Sequence, residues 1–210
     1  MRIDTFTFNP FQENTYVLSD DTKECIIVDP GCYDLAEEKE LLGFIELNKL
    51  KPVRLINTHA HIDHIFGNKL IAETFKLELE LHPLDLPILA AANMTAKKYG
   101  LSYTESPEAT KLIKEGDIIS FGNTQLEILH IPGHAPGHVV FLNNETKDII
   151  GGDVLFRGSI GRTDLPGGNH EDLIEHIKNK LFVLDDEVKV YPGHGPLTTI
   201  GYEKKNNPFF

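Results

Sequence analysis

The spacing of apolar residues changes period several times along the chain, and each change predicts an element. Arg2-Ile3-Asp4-Thr5-Phe6-Thr7-Phe8 alternates polar and apolar side chains, the pattern of a half-buried strand. Residues 14–18 and 24–29 predict the next two strands, with Asp20-Asp21 as the turn between them. Asp29-Pro30-Gly31 breaks the pattern. From residue 35 to about 50 the apolar positions Leu41, Leu42, Ile45 and Leu47 recur at helical spacing among Glu and Lys, and Pro52 is expected to end that helix. The run Val53-Arg54-Leu55-Ile56 then reads as a buried strand.

Residues 65–75 predict a helix, 76–81 a short strand, and 87–99 a second helix, followed by a loop at 102–107. Beyond residue 118 the helical period gives way to short strands at 118–121, 124–131, 138–142 and 148–152, with a turn at Asn143-Asn144. Residues 171–181 predict a helix with Asn169 as its cap and Leu173, Ile174, Ile177 and Leu181 on one face. A last strand is expected at 188–191. Two mixed sheets with helices outside accommodate this order, as do other α/β and α+β layouts.

One stretch carries concentrated chemistry. Thr58-His59-Ala60-His61-Ile62-Asp63-His64 follows the strand at 53–57, and in extended chain His59 and His61 point the same way. Asp63 and His64 sit where the chain turns toward the next helix. Four ligand-type side chains within six residues point to bound cations rather than to a surface cluster. Three later stretches each place such residues at the end of a predicted strand. They are His130-Ile131-Pro132-Gly133-His134-Ala135-Pro136-Gly137-His138, Gly151-Gly152-Asp153, and Tyr191-Pro192-Gly193-His194-Gly195-Pro196. The Gly and Pro residues suit rigid turns and close backbone approach. His138 and His130 are expected to support the site rather than to bind metal, and His82, His170 and His176 to be exposed.

Composition narrows the partners. A net charge of −12 argues against broad nucleic-acid contact, since phosphate binding needs a cationic face. A small anionic substrate stays compatible, because a metal centre supplies positive charge locally. No apolar run approaches the roughly 18 residues of a spanning helix, and the N-terminus lacks the pattern of a signal peptide. Cys25 and Cys32 form no CxxC pair, so two reduced thiols in a cytoplasmic protein are expected.

The pattern HxHxDH at residues 59–64 resembles the signature of the metallo-β-lactamase superfamily, and the stretches around His134, Asp153 and His194 resemble its later motifs in order and spacing. That resemblance implies a single metallohydrolase domain over residues 1–210. Its class would be α+β, a four-layer αβ/βα sandwich of two mixed β-sheets flanked by helices. It implies one metal held by His59, His61 and His134, a second held by Asp63, His64 and His194, and Asp153 bridging both. Asp63 and Asp153 would then be the catalytic carboxylates. All-N/O ligation suits two Zn2+ per chain, and also iron or manganese.

Asp153 and the stretch from Gly152 to Asp164 resemble the glyoxalase II (hydroxyacylglutathione hydrolase) branch, above all its short bacterial members. This implies cleavage of a small-molecule thioester by a metal-bridging hydroxide, with Arg162 where relatives carry a basic residue for a substrate carboxylate; the alternative for Arg162 is a structural pairing with Asp164. Two departures concern the thiol carrier. Asp164 stands where the best-known relatives have a Tyr, and the helical domain that follows their final His is missing here. The alternative is the branch of mononuclear-iron persulfide dioxygenases, which shares HxHxDH and the Gly161-Arg162-Thr163-Asp164 stretch. Pro192-Gly193-His194-Gly195-Pro196 resembles the hydrolases instead. The oligomeric state is not legible in the residues.

Overall fold

A computed structural model describes residues 1–210, and the chain divides into two compact units: residues 1–113 with 120–124, and 114–119 with 125–210.

The first unit is built on a six-stranded mixed sheet. In chain order its elements are β1 (Arg2–Phe8), β2 (Glu13–Ser19), β3 (Glu24–Val28), α1 (Leu35–Leu47), β4 (Lys51–Ile56), α2 (Asn68–Phe75), β5 (Leu79–Leu81), α3 (Leu86–Tyr99) and β6 (Ala109–Leu112). The strands lie side by side in that same order, the first three antiparallel and the rest parallel. Val17, Ile27, Leu55 and Leu79 share a core with Leu41 and Ile45 of α1 and Ile71 of α2. Every residue of β2 is buried, so sequence alternation is lost there, as expected of a strand covered on both faces.

The boundary after α1 differs from the expectation. The helix stops at Asn48, whose side-chain amide donates to the Phe44 carbonyl, and Lys49 turns left-handed at φ 54°. Pro52 does not end the helix; it lies inside β4. The β3–β4 register shifts between Cys25 and Ile26, next to the pair Cys25–Pro52, and such an irregularity accommodates a strand proline that cannot donate. The helix expected from residue 65 begins at Asn68, because Ile62–His64 forms a 3-10 turn and Gly67 first donates to the Pro30 carbonyl.

The second unit continues with β7 (Ile118–Phe121), β8 (Thr124–His130), β9 (Val139–Asn143), β10 (Asp148–Gly152), β11 (Leu155–Phe156), β12 (Ser159–Ile160), α4 (His170–His176), β13 (Lys189–Pro192), β14 (Thr198–Thr199) and α5 (Ile200–Asn206). Its sheet runs β14-β13-β10-β9-β8-β7, and β10 and β13 are the parallel pair at its middle. The tip of the β7–β8 hairpin belongs to the first unit, where Asn123 and Gly122 donate to Asp20 and Glu24. Asn169 caps α4 as expected, accepting from the N–H groups of Glu171 and Asp172, and the helix runs on as a π-helical turn, Ile177–Leu181. Leu173, Ile177 and Leu181 enter a core with Val140, Ile149 and Val190.

Cys25 and Cys32 are free and buried, and burial pushes both thiols up to about 12. Neither is expected to react with a disulfide reagent at pH 8 in the native protein, and both should titrate once it is unfolded, because the thiolate is the reactive form. One fast-reacting thiol under native conditions is the contrary result. No helix is long and apolar enough to cross a membrane.

Candidate metal centre

In the first unit β4 delivers the donors. After Ile56 the chain bends at Thr58, is extended at His61 (φ −67°, ψ 151°), then tightens into the 3-10 turn Ile62–His64. The ring centroids of His59 and His61 lie 4.7 Å apart, and those of His59 and His64 4.1 Å apart. His59 and His64 are fully buried, while His61 and Asp63 keep partial exposure. The expectation that these four side chains gather is met.

What aims them is Asp29, a buried residue at the end of β3 that the sequence marked only as part of a turn. Its Oδ1 accepts from the Thr58 N–H at 2.7 Å and its Oδ2 from the Thr58 hydroxyl at 2.6 Å. That uses the one hydroxyl proton of Thr58. The 3.0 Å contact between Thr58 Oγ1 and His59 Nδ1 must therefore be donated by the imidazole. His64 Nδ1 likewise faces Asp29 Oδ2 at 3.1 Å, and a carboxylate only accepts. Both rings carry their proton on Nδ1 and present the Nε2 lone pair, the state in which imidazole binds a metal.

Other buried polar groups hold the same loop. Asp85, fully buried ahead of α3, accepts from the Ala60 N–H at 2.8 Å. Asn9 donates to the carbonyl of Asp63 at 2.9 Å. Glu13 accepts from Thr15 and lies 3.9 Å from His64 Nδ1; burial pushes its carboxyl well above the usual range, against the pull of His64. Sequence reasoning missed Asp29, Asp85 and Glu13. Their one local signal was a carboxylate set in or beside an apolar run.

In the second unit two strand ends and one loop converge. The β8–β9 connection carries His134, β10 ends at Gly152 just before Asp153, and β13 ends just before His194. Parallel pairing of β10 with β13, extended by Gly193 donating to the Gly152 carbonyl at 2.7 Å, brings Asp153 and His194 together. Asp153 Oδ2 lies 3.5 Å from His134 Nε2 and 3.6 Å from His194 Nε2. His134 Nδ1 donates to the Arg162 carbonyl at 2.7 Å, which again leaves Nε2 as the donor atom. Buried His138 accepts the Asp153 N–H on Nε2 at 2.9 Å, so it positions the carboxylate as expected. A Cβ at Gly161 would run into the Asp153 carbonyl and the His134 ring, so only glycine fits there.

These separations test the donor sets against a metal. Distances of 3.5 to 3.7 Å, the last between Asp63 Oδ2 and His64 Nε2, are too long for hydrogen bonds. Two ligands at about 2.0–2.2 Å from one tetrahedral ion stand roughly 3.3 Å apart. The donor sets fit.

For Arg162 the alternative pairing is present, and the expectations for His82 and His176 come out differently. The Arg162 guanidinium makes a bidentate pair with Asp164 at 2.7 and 2.8 Å on the surface, and this holds the Asp164 carboxyl down to about 2. The Arg162 backbone carbonyl accepts from His134 Nδ1. His82 is buried, with its Nδ1 accepting from Leu84, rather than exposed. His176 is half-buried on its own helix, its Nδ1 bonded to the Asp172 carbonyl.

A family model described as the metallo-beta-lactamase superfamily matches residues 8–194. The chain belongs to the metallo-β-lactamase superfamily. Among relatives of this superfamily chain, Hydroxyacylglutathione hydrolase GloC of Haemophilus influenzae is 37% identical over all of this chain and 98% of its own. A crystal structure of BLEG-1 B3 metallo-beta-lactamase is similar with a TM-score of 0.91 and 36% identity, covering 99% of each chain. A crystal structure of TTHA1623 in a di-iron-bound form is similar with a TM-score of 0.89 and 39% identity, covering 99% of this chain and all of its own. The α+β class with two large mixed sheets is thus the metallo-β-lactamase fold, as the HxHxDH motif led one to expect.

Proposed function

We propose that this chain hydrolyses a thioester, using two metal ions held by His59, His61, Asp63, His64, His134, Asp153 and His194. One ion is assigned to His59, His61 and His134, the other to Asp63, His64 and His194, and Asp153 is shared. The observation that carries this reading is one Asp153 oxygen standing 3.5 and 3.6 Å from two imidazole nitrogens, as a ligand common to two ions must. Neither unit holds the whole donor set, so the reading makes residues 1–210 one working domain. Zinc is the first choice for all-N/O ligation, with iron or manganese accepting the same donors; similarity to a protein solved in a di-iron form supports iron.

Bound ions would supply a water of lowered pKa as nucleophile and polarise the substrate carbonyl. The residues supply the rest. Asp29, through Thr58, keeps His59 and His64 in the donating tautomer, and His138 holds Asp153. Asp63, less deeply buried than His64, is placed to take the proton of the attacking water. A thiolate departs without a proton, so no separate general acid is required.

Full-length likeness to a hydroxyacylglutathione hydrolase supports the thioester. Likeness to BLEG-1 makes lactam hydrolysis the second reading. Persulfide oxidation at a single iron has less support, since it leaves the Asp153–His194 arrangement without a use. Two buried free thiols support a cytoplasmic location, and the net charge of −12 supports a small molecule over nucleic acid as substrate.

The test is elemental analysis of protein purified without added metal, then assay against a hydroxyacylglutathione thioester and a lactam. Thioester turnover with a high KM is expected, abolished by chelation and restored by about two equivalents of metal. Lactam cleavage without thioester cleavage would reverse the assignment.

A further inference from the structure

With its guanidinium paired to Asp164, Arg162 is a poor anchor for a substrate anion, and the structure offers another cation in the same unit. Arg157 stands at the turn of the β11–β12 hairpin, immediately after Phe156, whose ring centroid lies 6.2 Å from that of His194. Arg157 is exposed, and its guanidinium carbon lies 4.7 Å from the centre of the Tyr202 ring. Two other cations of the unit are engaged with carboxylates: Lys180 meets Glu115, and Lys204 meets Asp186. A guanidinium stacked on a ring keeps its in-plane N–H groups for a carboxylate, and the ring narrows its rotamers in advance.

The hairpin itself is pinned from beneath. Glu203 of α5, fully buried, accepts from the Gly158 N–H at 2.9 Å and from Asn207 at 2.8 Å. Asn207 in turn donates to the Ser159 carbonyl at 3.0 Å. The turn residue Gly158 has φ +71°, a conformation that glycine adopts without strain. The hairpin therefore holds Arg157 on a rigid base, one residue along from the Phe156 ring that lies near His194. In a chain with a net charge of −12, a cation outside the metal centre favours a substrate that carries a further anionic group.

We propose that Arg157, stacked on Tyr202, is the specificity residue that binds a carboxylate on the thiol half of the substrate. The proposal rests on the thioesterase reading for the identity of that substrate. The substrate class is a thioester whose leaving thiol is anionic, as in a carboxylate-bearing peptide thiol, rather than an acyl group on a neutral thiol.

The experiment uses the full, metal-loaded chain with one 2-hydroxyacyl group on two thiols, glutathione and neutral N-acetylcysteamine. Arg157→Ala should raise KM for the glutathione thioester about tenfold or more with kcat unchanged, and leave KM for the neutral thioester where it was. Arg157→Lys should recover part of the loss, because it restores charge but not the planar fork. Raising the salt concentration should raise the wild-type KM for the anionic substrate and leave that of Arg157→Ala flat. Equal changes for both substrates, or none for either, overturn the proposal, as does an Arg162→Ala variant that alone shows the selective loss. Calorimetric titration with S-methylglutathione, which is not hydrolysed, separates the two ideas. If the wild type cleaves neither thioester but binds this probe in an Arg157-dependent way, the thioesterase reading fails and the anion site stands. If it cleaves both and binds the probe equally well without Arg157, the anion site fails alone.

Discussion

Asp153→Asn is expected to lower kcat/KM by roughly 10³-fold or more, since losing a shared metal ligand forfeits several kcal/mol of transition-state stabilisation. The substitution keeps the shape of the side chain and the backbone N–H that His138 accepts. It replaces an anionic oxygen standing between His134 and His194 with a neutral amide group. Metal content should fall below two per chain. Loading with metal should raise the melting temperature of the wild type, because a ligand that binds only the folded state stabilises it, and should raise that of the variant much less. Metal content by elemental analysis and melting curves with and without metal check both statements. A variant with two ions and near wild-type turnover would remove the dinuclear proposal.

The second large effect belongs to a residue outside the donor set. Asp29→Ala should weaken metal binding about 10- to 100-fold, the usual consequence of losing the partner that orients a ligating imidazole. It should also destabilise the metal-free protein by about 3 kcal/mol or more, because several costs fall together. The Thr58 N–H loses its acceptor, and so does the Thr58 hydroxyl that fixes the His59 tautomer. Asp29 also sits at φ 49°, a left-handed conformation that Asp and Asn tolerate better than Ala. Asp29→Asn separates the causes: it tolerates the backbone conformation but cannot accept from all three donors, so the metal defect should persist while part of the stability returns. Chelator competition reads the first quantity and denaturant unfolding of the stripped protein the second. Unchanged metal affinity in both variants would show that Asp29 only holds the fold.

The expected strand at 118–121 and that at 148–152 coincide with β7 and β10, and all seven proposed donors are legible in the sequence motifs. Where expectation and structure part, the cause is distant chain. Pro52 looked like a helix stop, yet pairing with β3 absorbs it into β4. β6, β14 and the β11–β12 hairpin had too few residues to display a period, and they exist because a neighbouring strand offers its backbone groups.

What the residue order by itself determined is therefore the list of proposed metal donors and most strand positions. Both are local: a dense HxHxDH cluster, and a period of two or an unbroken apolar run, can be read within a few residues. Only the tertiary structure decided which nitrogen of His59 and of His64 faces inward, because that is set by hydrogen bonds between Asp29 and residues 29 and 35 positions further along. It also decided that Asp153 stands between two imidazoles and that Arg157 rather than Arg162 is held on a ring. Those are properties of packed neighbours, and spacing along one strand does not encode them.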